Sequence, residues 1–87
     1  MINKHDFKHV TRLNETRPTL QEAQKIVGGL VEIVELLPEL TELVPGQMLV
    51  NEEGILLDLG YNETASHLTG KDIFGPSIIL TGPAMWD

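Results

Sequence analysis

The stretch Gly28–Gly46, GGLVEIVELLPELTELVPG, admits two incompatible readings. Glu32, Glu35, Glu39 and Glu42 recur at helical spacing, which on one helix would set a row of carboxylates along one side. The β-branched residues Val31, Ile33 and Val34, coming behind a glycine pair, favour a strand. A single helix from Leu20 to Val44 would carry Gly28, Gly29 and Pro38 in its interior. Each glycine there costs about 1 kcal/mol and the proline about 3 kcal/mol, and glutamates three or four residues apart on a helix repel. The stretch therefore divides into a helix stop at Gly28, a strand from Leu30 to about Leu36, and a short helix PELTELV begun by Pro38. Proline suits that first turn because its missing N–H would have had no helical partner. As strand residues, Glu32 and Glu35 project to opposite faces, and the carboxylate row dissolves.

The same logic extends in both directions. Upstream, Thr19 and Glu22 form a capping box ahead of an apolar stripe of Leu20, Ala23, Ile26 and Val27, so a helix spans these residues. FKHVTRL, from Phe7 to Leu13, reads as a first strand behind a short N-terminal arm at residues 1–6. Downstream, two apolar runs flank Asn51-Glu52-Glu53-Gly54, the pattern of a hairpin whose turn needs a positive φ at Gly54. Asn62 then caps a helix that ends at Gly70, and Ser77 to Thr81 reads as a last strand. The expected fold is a single α+β domain over residues 1–87, with a mostly antiparallel sheet and the order β-α-β-(short α)-β-β-α-β.

A chain of 87 residues builds one small core with a thin stability margin, which association between copies would relieve; a homo-oligomer is therefore expected. With no cysteine there is neither a disulfide framework nor a thiolate metal site. No apolar run approaches the ~18 residues that suggest a membrane span, and no secretory signal is recognisable, so a soluble, cytoplasmic protein is expected. The formal net charge is −7, unevenly spread. Lys4, Lys8, Arg12 and Arg17 crowd the first part of the chain, whereas Leu30 to Glu63 holds acidic residues and no lysine or arginine. Direct binding to a nucleic-acid backbone is disfavoured, since phosphate contacts need clustered cations. A small anionic ligand needs only one or two cations and stays open.

The segments TLQEAQKIVGGLVEIVEL, MLVNEEGILLDLGYNETASHLTG and DIFGPSIILTG together resemble a family of small domains found in bacteriophages, plasmids and bacteria and described as a domain of unknown function. The resemblance rests on Val27, Gly28, Gly29, Glu32, Asn51 to Gly54, Asn62, Ala65, Gly70, Ile73, Gly75 and Pro76, and runs from Thr19 onward. The chain departs from the pattern at LPELTELVPG, where the family has a short polar turn. The resemblance implies a phage-type accessory protein, working in the host cytoplasm if phage-encoded, and brings no catalytic residues with it.

Candidate chemistry is sparse. His5 and His9 in HDFKH imitate a zinc-binding helix motif, but a strand would hold the two imidazoles apart, and no third ligand beyond His67 suggests itself. Ser66 and His67 are adjacent on a helix and point in different directions, and Ser77 lacks a glycine elbow. Glu52 and Glu53 sit in a turn, in water. No catalytic residue, metal site or cofactor is expected, and the chain reads as a non-enzymatic binding protein. In the leading reading, Arg12, Arg17 and Lys25 line a pocket in an oligomer that sequesters a nucleotide-like immune signal, countering host defence. In the alternative, the acidic surface inhibits a basic, DNA-binding type of host protein, with Leu37, Glu39, Leu40, Glu42 and Leu43 as a candidate contact segment.

Overall fold

A computed structural model describes residues 9–41 and 45–86. β1 (Val10–Leu13) leads into α1 (Leu20–Val27), then β2 (Val31–Glu35), α2 (Pro38–Thr41), β3 (Gly46–Asn51), α3 (Glu63–Thr69) and β4 (Ser77–Thr81), with a 3-10 turn at Gly82–Ala84. The four strands form one sheet in the order β1-β4-β3-β2. β2–β3 and β3–β4 are antiparallel, while β1 runs parallel to β4 with Val10 opposite Ser77. The α+β class and the mostly antiparallel sheet agree with the sequence. The expected arm at residues 1–6 and the start of the first strand lie outside the described residues.

Strand alternation gives this sheet two apolar faces. Met48 and Val50 join Val10, Val34, Leu36, Ala65 and Ile73 in a cluster on the α3 side. Leu49, Ile78 and Leu80 join Ala23, Val27 and Ala84 on the α1 side. The sheet is thus the middle of three layers. That arrangement explains why the central strands read as continuous apolar runs, MLV and IIL, and not as alternating ones.

Both well-signed helices start and stop where their caps dictate. In α1 the Glu22 amide donates to Thr19 Oγ1 (3.1 Å) and the Thr19 amide to Glu22 Oε1 (2.8 Å). Ala23 and Val27 are fully buried, but Leu20, expected in the stripe, is 53% exposed because it stands at the helix start, beyond the edge of the cluster. Gly28 closes α1 with φ 87°, a left-handed conformation that glycine adopts without steric cost.

Two buried asparagines tie the helices to the sheet. Asn51, at the end of β3, donates from Nδ2 to the Val27 carbonyl (3.0 Å) and accepts the Glu53 amide at Oδ1 (2.7 Å). Asn62, 1% exposed, caps α3 by accepting the Ala65 amide (3.0 Å). Its Nδ2 donates to the carbonyls of Gly75 (2.8 Å) and His9 (3.1 Å), so one amide joins α3, β1 and the entry to β4. Such fully engaged buried amides fix one arrangement, because any slip leaves a buried polar group without a partner.

The structure corrects the sequence reading at residues 55–59. ILLDL is not a strand and Asn51–Gly54 is not a hairpin turn; residues 52–58 form a string of tight turns. The reason is valence: β3 already pairs with β2 on one side and β4 on the other, so no edge is left for a further strand. Gly54 also lacks the positive φ expected of it. Its glycine requirement is one of space, since a Cβ there would sit 2.3 Å from the Phe74 carbonyl oxygen.

Candidate functional site

The turns after β3 are self-contained. The Gly54 amide donates to the Asn51 carbonyl (3.2 Å), the Leu57 amide to Glu53 (2.9 Å), and the Leu59 amide to Gly54 (3.0 Å). Asp58 ends the coil at φ 55°, a conformation that aspartate tolerates better than most residues. With the backbone satisfied locally and Gly54 pressed under Phe74, the intervening side chains face outward. Ile55 is 69% exposed, Leu56 82% and Leu57 50%. Three consecutive large apolar side chains displayed in this way are not scattered surface hydrophobics.

Carboxylates flank Ile55 and Leu56. A recess of about 450 Å³ runs from β2 to the segment before β4 and is lined by Glu32, Val34, Val50, Glu52, Glu53, Ile55, Leu56, Lys71, Asp72 and Phe74. Beyond it, Tyr61 packs edge-to-face on Phe74 with ring centroids 5.4 Å apart and stays half-exposed. The face therefore offers apolar contact at its centre and negative charge around it. That combination suits a partner carrying cations next to apolar groups, with the charges steering approach and the apolar centre holding it.

The predicted site residues divide. Arg17 and Lys25 come together, with Leu13, Pro18, Glu22 and Ile26, around an open recess of about 410 Å³. Arg12 is not part of that lining; strand alternation sets it on the opposite side of the sheet from Leu13. At the start of α1 the capping box engages the Thr19 and Glu22 amides. In the other predicted segment, the Leu37 amide donates to the Leu68 carbonyl (3.0 Å) and the Leu37 side chain lies over Gly70, so this residue closes onto α3. Glu39 is exposed. Glu42, Leu43 and the side chain of Leu40 lie outside the described residues.

The serines considered for catalysis are structural. Ser66 Oγ accepts the Ile73 amide (2.8 Å) and donates to the Ile73 carbonyl (3.3 Å), and Ser77 Oγ donates to the Gly75 carbonyl (3.3 Å). His9 and His67 are exposed, while His5 lies outside the described residues. Among the described residues no three histidine or carboxylate side chains converge as metal ligands. Trp86 is also structural. Its indole donates to the Pro18 carbonyl (3.1 Å), and its backbone N–H and C=O are matched by Gln47 Oε1 and Nε2 at 2.7 Å each.

Sequence reasoning missed Ile55, Leu56 and Leu57 as surface residues. The signal was present: after Ile55 the run is leucine-rich and not β-branched, a poor strand composition. The positions that carried the family resemblance fall mainly at joints. Gly29 lies against Asn51, Gly54 lies under Phe74, and Asn62, Ala65, Ile73 and Gly75 surround one buried amide. No match was found among curated proteins or among solved structures. The family model described as Domain of unknown function (DUF3846) matches residues 1–85, a span that reaches back through the N-terminal segment as well, and the chain belongs to that family.

Proposed function

We propose that this chain is a non-enzymatic binding protein whose acidic face, centred on Ile55–Leu57, engages a basic protein. The observation that carries the reading is the exposure of these three side chains, two of which, Ile55 and Leu56, line a recess with Glu32, Glu52, Glu53 and Asp72 against the single cation Lys71. No helix among the described residues is long and apolar enough to cross a membrane. By analogy with small acidic accessory proteins of bacteriophages, the role we attach to it is neutralisation of a basic host factor.

The test is capture from lysate followed by titration of the purified partner. Capture should weaken steeply between 0.05 and 0.5 M salt, as screening of steering charges requires (a Debye length of about 14 Å falling to about 4 Å). Leu56→Ser combined with Glu52→Lys should weaken the purified complex about tenfold or more with an unchanged melting temperature. A complex insensitive to salt and to this double variant would refute the reading.

The convergence of Arg17 and Lys25 favours a second reading, in which an oligomer holds a nucleotide-like anionic signal in their recess. Cyclic and ADP-ribose-type nucleotides should then raise the melting temperature, and Arg17→Ala should abolish the rise. A flat response across both classes would remove it.

A further inference from the structure

The geometry points to the open edge of β2 as the place where a basic, extended segment of the partner protein adds to the sheet as a further strand. This rests on the reading of the partner as a basic protein and specifies how it is held. β2 is the last strand on its side of the sheet. The Glu52 amide donates to the Leu30 carbonyl, and in this antiparallel register hydrogen-bonded pairs recur every second residue. Glu32 and Val34 therefore turn their N–H and C=O groups toward β3, while those of Val31, Ile33 and Glu35 face outward. Among the described residues no strand pairs with that outer edge.

Both faces of the edge carry a recess. On the α3 side, Glu32 and Val34 line the acidic recess beside Ile55 and Leu56. On the α1 side, Ile33, 45% exposed, and Glu35 line another of about 410 Å³ with Pro38, Pro45 and Met85. An added strand would gain main-chain hydrogen bonds from the edge and set its alternate side chains into the two recesses, the arrangement that gives strand addition its selectivity.

Charge selects the occupant. Glu32 and Glu35 present a carboxylate on each face of β2, so a cationic side chain finds a counter-charge whichever way it points. A second copy pairing through this edge would instead bring its own Glu32 and Glu35 onto the same short ladder, and like charges on facing strands oppose pairing. A segment alternating lysine or arginine with β-branched residues fits.

The test titrates the ¹⁵N-labelled chain with an end-blocked peptide of alternating lysine and valine. A second peptide of the same sequence is N-methylated at the backbone nitrogens that would face the edge. The amides of Val31, Ile33 and Glu35 should shift and gain protection from exchange, and methylation should weaken binding at least tenfold. Ile33→Pro removes an outward N–H while leaving the donors of Glu32 and Val34 to β3, and should weaken binding comparably while the cooperative melt persists. Equal binding of both peptides, with shifts confined to Ile55–Leu57, would overturn the edge while leaving the basic-partner reading standing. Binding of a helical lysine–leucine peptide in place of the extended one would do the same. Failure of all three peptides to bind would overturn both.

Discussion

Replacing Asn62 by aspartate separates two accounts of this residue. At an exposed N-cap the two are nearly equivalent, because either side chain offers an oxygen to the first helical turn. Here the other half of the amide is also engaged: Nδ2 donates to the Gly75 carbonyl at 2.8 Å and the His9 carbonyl at 3.1 Å, within a side chain 1% exposed. Asn62→Asp sets a carboxylate oxygen against both carbonyl oxygens. The carbonyls keep other donors, the Ser77 amide on His9 (2.9 Å) and Ser77 Oγ on Gly75 (3.3 Å), so they are not orphaned. The loss is two donated bonds, about 1 kcal/mol each, plus the cost of a buried, unpaired charge, for a total of roughly 3 kcal/mol or more at pH 7.

That is a large share of the roughly 4–13 kcal/mol expected for a chain of 87 residues. The pH dependence gives the sign. The introduced carboxyl is protonated more readily in the folded state, so its folded pKa lies above the unfolded value of about 3.9. Below about pH 4 the deficit falls to about 1 kcal/mol, because the protonated carboxyl donates one bond in place of two, and it grows by up to about 1.4 kcal/mol per unit as pH rises, until the folded pKa is passed. Asn62→Ala, which loses the cap and both donated bonds without adding charge, should cost about 3 kcal/mol at either pH. Urea unfolding followed by Trp86 fluorescence at pH 7 and pH 5 reads all of this. An Asn62→Asp protein within 0.5 kcal/mol of the parent at pH 7 would refute the buried-donor account.

Other positions give equally definite expectations. Gly54→Ala should cost about 2–3 kcal/mol in urea unfolding, because its Cβ would meet the Phe74 carbonyl oxygen at 2.3 Å. Gly60→Ala, with nothing within 4 Å, should be neutral or stabilising by up to about 1 kcal/mol. Thr19→Ala removes the capping-box acceptor and should cost about 1 kcal/mol by the same measurement. Gln47→Ala deletes both bonds to the Trp86 backbone, and the tryptophan emission of the folded protein should shift to the red.

Local signals carried much of the fold. Thr19, Glu22 and Gly28 bound α1, and Asn62 and Gly70 bound α3, because caps act within a few residues of themselves. The division of Gly28–Gly46 likewise followed from glycine and proline costs that any environment would impose. Pairing was less legible. Whether ILLDL becomes a strand depends on how many edges β3 has free, and that is decided by β2 and β4, not by residues 55–59. The grouping of candidate site residues is hidden for the same reason. Arg17, ahead of α1, and Lys25, in its last turn, line one recess, whereas Arg12 sits on a strand whose alternation turns it away from Leu13 on that recess. Charge is visible in a sequence; convergence of charges requires the topology.

The parallel pairing of β1 with β4 bears on how the chain is made. β2 and β3 are neighbours in sequence and can zip together as soon as both have left the ribosome. β1 is synthesised before them, yet its ladder partner, Ser77 to Leu80, is in the last strand to emerge. Until then, the Asn62 donor to the His9 carbonyl and the parallel ladder both wait on translation. Assembly is therefore expected to finish by capture of the first strand, a slow, long-range closure that exposes the β4 edge to other nascent chains in the interval.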